Sequence, residues 1–467
     1  MNDLFGGGVD GVDAVDVVVV GAGAAGMAGA VTLAGFGLQV VLLDEQGSPG
    51  GQIYRGITLA PLSRRDLLGA DYAHGNVLAQ ALASSSVRYE KGAAVWQVTR
   101  DHQVSYLRDG RLHTVQAKAV LLATGAMERP FPIPGWTLPG VMSAGAAQIL
   151  LKSAGLAPTE PVVLAGCGPL LYLLGWQYLR AGVPIKALVD TTRPEDYWRA
   201  RRHLFAALRA WPYLRKGLEL MRSLRSARIP HHTGAEQLAI EGNDAATALT
   251  FSVAGKAQRI DARCVLLHQG VVPSIQFSQS LRARHVWDVD QLCFSPVVDP
   301  WGELEVPGIF AAGDGAGIGG AQAAALQGEL AALGIAQRLG TLDAGRRDER
   351  AGPLRETLAL NLRIRPFLDA LYQPKEANRI PADEVIVCRC EEVTAGDLRK
   401  FVALGCAGPN QAKSFGRCGM GPCQGRLCGL TVTEVIAKAR GVSPADVGYY
   451  RIRPPIKPIT LGELAGE

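Results

Sequence analysis

Four cysteines in the last fifth of the chain stand at spacings that suit a metal cluster. Cys388 and Cys390 form a Cys-x-Cys pair, and after 27 intervening residues Cys418 and Cys423 form Cys-x4-Cys. Two pairs of thiolates from two short loops can hold a [2Fe–2S] cluster, two sulfurs to each iron. The second pair lies in Phe-Gly-Arg-Cys-Gly-Met-Gly-Pro-Cys-Gln-Gly-Arg, residues 415–426. Its glycines let the backbone fold tightly and aim N–H groups at sulfur. A structural zinc ion also takes four cysteines and is the alternative, although it usually prefers Cys-x2-Cys. Cys406 and Cys428 fall outside the four-cysteine pattern and are expected to lie away from the metal as core thiols. Cys428 is the rival ligand, being close to Cys423 in sequence.

A second kind of chemistry is written near the start. Val17–Val20 reads as a strand, Gly21-Ala-Gly23-Ala24-Ala25-Gly26 as a turn opening a helix to about Gly35, and Val40–Leu43 as a second strand. That strand ends in Asp44, 23 residues after Gly21. Strand, Gly-x-Gly-x-x-Gly, helix and an acid at this distance make a strong dinucleotide signature. Gly21 makes the turn, Gly23 lets a pyrophosphate approach, Gly26 lets helix and strand pack closely, and Asp44 would accept from ribose hydroxyls. A similar unit begins at Val162–Ala165 with Gly166-Cys167-Gly168 and runs to a strand Ile185–Val189 ending in Asp190. Leu171 stands where its third glycine would be, which forces helix and strand apart. The unit is therefore a Rossmann half in fold, and whether it takes a nucleotide is left open.

Two further segments belong with these. Val120-Leu-Leu-Ala123-Thr124-Gly125 is an apolar strand ending in a small-residue turn, and Gly308–Gly317 is an apolar strand leading through Gly313-Asp314 to a Gly/Ala-rich helix. An acid at a strand end facing a helix N-terminus can bind a polyol chain while the helix end faces phosphate.

The rest of the composition sets bounds. A chain of 467 residues, 48% hydrophobic and 19% charged, is ordinary globular material of about three domains. Residues 1–16 carry neither a basic start nor an early apolar run and read as a flexible leader. No uncharged apolar stretch has the length and flanks of a membrane span. The nine cysteines are then cytosolic ligands and core thiols rather than disulfides, with Cys167, Cys264 and Cys293 as isolated core residues. A net charge of +5 is too weak to argue for nucleic acid. The charge is uneven, however: residues 193–228 hold ten Arg or Lys against three acids. There Leu204, Leu208, Trp211, Leu214, Leu218, Met221 and Leu224 recur at near-helical spacing, broken by Pro212. This reads as a helical hairpin with an apolar stripe and basic flanks, either packed on its own domain or facing a partner subunit or an acidic membrane. His231 and His232 point to opposite faces of a strand and are read as non-ligands. No Ser/His/Asp or paired-carboxylate arrangement suits hydrolysis.

The four nucleotide-type segments, in this order, resemble the two-dinucleotide-fold flavoproteins, the glutathione-reductase-like class. The resemblance implies an α/β fold in which FAD is held by Gly21, Gly23, Ala24, Ala25, Gly26, Asp44, Glu45, Gly51, Gln52, Ala123, Thr124, Gly125, Gly313 and Asp314. Gly50-Gly51-Gln52 matches a turn that this class places near the flavin. The FAD domain would be discontinuous, 14–145 with 290–345, around a second nucleotide-type domain at 146–289. No paired redox cysteines lie in this part, so the chain is not a disulfide reductase. After a linker or arm at 346–382, residues 383–445 resemble the bacterioferritin-associated-ferredoxin type of [2Fe–2S] domain, with Cys388, Cys390, Cys418 and Cys423 as metal ligands. A tail, 446–467, follows.

Together with Gly125-Ala-Met-Glu-Arg-Pro-Phe-Pro-Ile-Pro-Gly-Trp-Thr-Leu-Pro-Gly-Val-Met, residues 125–142, nearly the whole chain is similar to one narrower family. This is the α-type subunit of heteromeric bacterial amine dehydrogenases: opine oxidases, D-hydroxyproline and proline dehydrogenases, and the hydrogen cyanide synthase flavoprotein subunit. The resemblance implies an electron-receiving flavo-iron–sulfur subunit, a D-amino-acid-oxidase-like partner flavoprotein that oxidises the C–N bond, a small ferredoxin-like subunit, and an FMN at a subunit interface. Two other readings stand beside it. One is a self-contained NAD(P)H-dependent FAD reductase, and the other a non-catalytic assembly subunit with structural zinc. A cytoplasmic location is expected, and the basic segment is the feature that would allow peripheral contact with the inner membrane.

Overall fold

The computed structural model describes residues 13–465. Strands β1 (Asp13–Val20), β2 (Val40–Asp44) and β3 (Arg88–Lys91) lie parallel on one side of a seven-stranded sheet. Strands β4 (Ala94–Val98), β5 (Gln103–Arg108) and β6 (Arg111–Leu122) follow, with β6 parallel to β1 and antiparallel to β5. The late strand Ile309–Ala311 returns to this sheet and pairs in parallel with the end of β6. The chain thus leaves this sheet and returns to it late. Most of the leader expected at residues 1–16 lies outside the described residues. Its last four, Asp13–Asp16, are strand instead, because Asp13 and Ala14 register with Val115 and Gln116 of β6.

The continuous valine run of β1 follows from its place. Val17 and Val19 enter one core with helix α1 (Ala24–Gly35) and the helix Ala321–Arg338, while Val18 and Val20 enter a second core on the other face. A parallel strand covered on both faces has no polar side to show. The second core has a functional consequence. It is continuous with the cysteine-rich region, taking in Val432, Val435, Tyr450, Ile452 and Ile456 beside Val20 and Val41. The C-terminal domain is thus packed directly on the first nucleotide sheet, and Ile456 N donates to Trp96 O at 3.0 Å. The stretch read as a tail is part of this packing.

The second unit is a five-stranded parallel sheet in the order 231–233, 185–190, 162–167, 264–269 and 141–143, with a three-stranded antiparallel sheet beside it. Its edge strand Val141–Ser143 lies ahead of the expected boundary at 146, because the turn at Pro139-Gly140 already delivers the chain to Cys264–Gln269. The arm is three helices, Ala344–Leu362, Arg365–Leu371 and Glu376–Arg379. Pro212 does not break the basic hairpin; it sits in the first turn of the helix Trp211–Ser226, where a missing N–H costs nothing. Among the described residues no helix is long and apolar enough to cross a membrane.

Candidate cofactor sites

The three glycines of the first turn differ in what surrounds them. A Cβ on Gly21 would meet Ala123 O at 2.5 Å, and one on Gly26 would meet Gly21 O at 1.8 Å. Both positions are closed by backbone, and Gly21 also has φ +104°. A Cβ on Gly23 would meet nothing nearer than Gly51 Cα at 3.9 Å. The open face of Gly23 at the N-terminus of α1 is where a pyrophosphate could approach the backbone.

The other expected residues converge on this turn. Gly50 N donates to Ala22 O at 2.8 Å and sets the Gly50–Gln52 turn against it. Thr124 Oγ1 would be 3.1 Å from a Cβ on Gly315, and a Cβ on Gly313 would be 2.8 Å from that of Ala25. Asp44 is 8% exposed, and its carboxylate accepts from Ala22 N at 2.5 Å and Gln46 N at 2.7 Å. It therefore braces the turn. Burial pushes its pKa up against those two amides. Asp314 accepts from Gly319 N at 2.8 Å and Gly320 N at 2.9 Å through Oδ1. Its other oxygen is free of these bonds. Glu45 pairs with Lys457 from the C-terminal stretch.

Two cations that sequence reasoning did not select lie against Gln52 of the Gly50–Gln52 turn. Arg55 bonds Gln52 Oε1 through Nη2 at 2.8 Å and keeps a buried Nε with no partner. Lys152 Nζ donates to Gln52 O at 3.2 Å and Gln148 Oε1 at 2.7 Å. Burial pushes the Lys152 pKa down to about 7. An open glycine face, an unpartnered guanidinium nitrogen and a buried amine fit the diphosphate of FAD. Neither cation lies in a motif, so only the fold brings them there.

The second turn is filled. Leu171 is fully buried, the Tyr172 hydroxyl bonds the carboxylate of Asp190, and Thr192 N donates to the same group at 2.7 Å. The arm lies across the turn as well. Tyr372 O is 3.4 Å from Cys167 Sγ, Lys375 pairs with Asp196, and Gln269 Nε2 donates to Asn378 O at 3.1 Å. His231 faces Asp190 at 3.9 Å while His232 packs edge-on to Phe251, the opposite-face arrangement expected of neighbours in a strand.

The cysteines are gathered, with one correction. The sulfurs of Cys388, Cys418 and Cys428 lie within 4.8 Å of one another, all buried. Spacing places Cys428 outside the four-cysteine set, yet its sulfur lies with those of Cys388 and Cys418. The turn through Gly421 and Gly425 brings the chain back, so Cys428 arrives beside Cys388 as the N-cap of the helix Gly429–Arg440. Cys390 and Cys423 face each other at the rim, where Cys390 is exposed and Cys423 half-buried. Cys390 also packs on Gly421, whose Cβ would stand 2.2 Å from that of Cys390. Cys406 is apart and bonds Gly408 O at 3.4 Å. Cys167, Cys264 and Cys293 are buried, as read.

Among the three thiols the contacts favour one thiolate, Cys388. Cys388 is held down to about 2 by the thiols of Cys418 and Cys428. The same contacts push Cys418 up to about 12 and raise Cys428 as well. Gly419 N donates to Cys388 Sγ at 3.4 Å, and the buried Tyr450 hydroxyl lies 3.4 Å from Cys418 Sγ and 3.9 Å from Cys428 Sγ. Ligands about 2.3 Å from one metal stand about 3.8 Å apart, so this spacing suits a thiophilic metal centre. Gly419 and Gly425, at φ +80° and +76°, make room for the Tyr450 ring.

Residues 15–328 match the family described as pyridine nucleotide-disulphide oxidoreductase, and residues 383–467 match the sarcosine oxidase A3 domain. The chain belongs to the pyridine nucleotide-disulphide oxidoreductase family. An opine oxidase subunit of Rhizobium meliloti is 46% identical over 445 residues, covering 93% of this chain and 84% of that protein. Hydrogen cyanide synthase subunit HcnB of Pseudomonas protegens is 31% identical over 448 residues, covering 92% and 93%. The L-proline dehydrogenase from P. horikoshii shares the fold, with a TM-score of 0.70 at 21% identity over 97% of this chain and 79% of that one. Within the family the chain is an oxidoreductase of the α-subunit type found in heteromeric amine dehydrogenases, with the FAD/NAD-binding α/β fold.

Proposed function

We propose that this chain is the electron-receiving flavo-iron–sulfur subunit of a heteromeric amino- or imino-acid dehydrogenase. Its substrate would be an opine, hydroxyproline, proline or glycine, oxidised at the C–N bond on a partner flavoprotein subunit. The observation that carries the reading is the single core shared by the first nucleotide sheet and three of the five gathered thiols. FAD accepts two electrons at once, and a [2Fe–2S] centre passes them singly. The chain's own residues would hold both groups. Gly23, Arg55 and Lys152 would face the diphosphate, Asp44 brace the turn and Asp314 meet the ribityl chain. Four of the five thiols would hold the cluster. Spacing selects Cys388, Cys390, Cys418 and Cys423, and geometry admits Cys428 in place of one of them. An FMN at the interface with the partner, and a small ferredoxin-like subunit, belong to the same proposal.

A self-contained NAD(P)H reductase is disfavoured by the filled second turn. An assembly subunit with structural zinc is disfavoured by the Cys-x-Cys spacing of Cys388 and Cys390, since zinc usually prefers Cys-x2-Cys.

The test is metal and sulfide analysis with EPR of the dithionite-reduced protein, on wild type and five single Cys→Ser variants. About two irons per chain and an S = 1/2 signal are expected. Four variants should lose or perturb the signal while keeping FAD, and the fifth should keep both. Zinc in place of iron would refute the cluster. Robust turnover of an amino or imino acid by the isolated chain would refute the division of labour.

A further inference from the structure

The crossover between the strands Ile185–Asp190 and His231–Thr233 is built as three helices, Pro194–Ala200, Leu204–Leu208 and Trp211–Ser226. Their inner face is satisfied. Leu220 and Leu224 are buried in the main core, where Gly175 leaves room for Leu224, and Ala207 and Ala210 pack with Ile364. The apolar stripe read from the sequence is nevertheless only half used. In the stripe Leu208 is 50% exposed and Trp211 51%, and outside it Trp198 is 65% exposed and Phe205 69%.

The charge on this outer face is predominantly positive. Residues 193–228 carry an excess of seven positive charges in a chain of net +5, so the remainder is net acidic by two. Two of the three acids are already engaged, Asp196 by Arg199 and Lys375 and Glu219 by Arg215. Arg201, Arg202, Arg209 and Arg222 are exposed and have no carboxylate partner among the described residues. Arg201 lies over the Trp198 ring, and Arg209 is 4.5 Å from the centroid of Phe205. Each pair offers an apolar ring with a cation over its face.

We propose that this hairpin docks the protein on an anionic lipid surface. The rings and Leu208 would enter the boundary of the acyl region, and the guanidinium groups would meet lipid phosphates. A protein partner fits less well. The core of a protein interface is depleted of charge, whereas here arginines lie over the two most exposed rings, Trp198 and Phe205. A positive excess spread across three helices matches a surface of uniform negative sign.

The test is co-sedimentation of the full-length, FAD-containing protein with phosphatidylcholine vesicles, with and without phosphatidylglycerol. The protein should pellet with the anionic vesicles at low salt, stay in solution with phosphatidylcholine alone, and be released by high salt. The triple variant R201E/R202E/R209E should lose at least about tenfold in partitioning. Trp198→Ser with Phe205→Ser should remove the salt-resistant part. Both variants are checked for retained FAD absorbance and melting temperature. On wild type alone, brominated acyl chains should quench tryptophan fluorescence. Wild type that stays in solution, variants that bind as well as wild type, or absence of quenching would overturn the proposal. So would charge-reversed protein that keeps vesicle binding but loses its partner subunit, since the patch would then be a protein interface.

Discussion

The two Gly-rich turns share a pattern and a fold but not a state. Gly21 and Gly166 both take positive φ, at +104° and +130°, and both open a helix at the end of a buried parallel strand. In the first, Gly23 faces open space and the strand-end acid is bound by backbone amides. In the second, Leu171 occupies the helix–strand contact, Tyr172 takes the acid, and the arm brings Tyr372 to the turn. The turn geometry therefore makes a Rossmann unit, and the side chains around it decide whether a nucleotide has room.

The strongest way to break this contrast is Gly23→Val. Gly23 has φ −75° and no close neighbour, so valine brings no backbone strain and the protein should fold. FAD content should nevertheless fall to near zero, read from the visible spectrum of the purified chain, because the side chain occupies the path of the pyrophosphate. Gly168→Val in the second turn should do the reverse. Its φ of +110° makes any side chain strained, at a cost of about 1–3 kcal/mol in denaturant unfolding, while FAD remains bound. Stoichiometric FAD in folded Gly23→Val protein would refute the assignment of the first site.

A second test concerns the filled turn. NADH and NADPH should leave the flavin absorbance of the wild-type chain unchanged under anaerobic conditions. Leu171→Ala should cost about 2–5 kcal/mol of stability, because it empties a fully buried position, and should still not let either nucleotide bleach the flavin. Rapid bleaching of wild type would restore the reductase reading.

Much of this was legible in the sequence where one residue type answers to one local constraint. The positions of Gly21, Gly26, Asp44 and the Gly313-Asp314 turn follow from strand ends and close helix packing, which act over a few residues. What was not legible depends on chain returning from a distance. Cys428 was set aside on spacing, yet the glycines at 421 and 425 fold it back beside Cys388. Tyr450 lies beyond the region read as the cluster domain, and its hydroxyl reaches two of the sulfurs. The closing of the second turn by Tyr372 was equally out of reach, because a polar, proline-punctuated arm carries no mark of where it packs.

The smallest effect expected is at the seam between the two units. Lys152 stands on the helix Ala144–Ala154, at the start of the second unit, and reaches the Gln52 carbonyl of the first. It is 5% exposed, and burial, with Arg55 nearby, lowers its pKa to about 7. In the unfolded chain a lysine titrates near about 10.4. Between those values the unfolded chain holds a proton that the folded chain has released, so stability rises with pH across that window. Below about pH 7 both states are protonated, and the full cost of burying the charge is present. In FAD-free protein, Lys152→Met should therefore flatten the rise in melting temperature between pH 7 and pH 9. The gain at the acid end should be about 1–3 kcal/mol, partly offset by the lost bonds to Gln148 and Gln52. The FAD-loaded wild type should show a shallower slope than the FAD-free one, because an anionic diphosphate beside Gly23 favours the charged amine. An unchanged slope in Lys152→Met would remove Lys152 from the account, and equal slopes with and without FAD would place the diphosphate away from it.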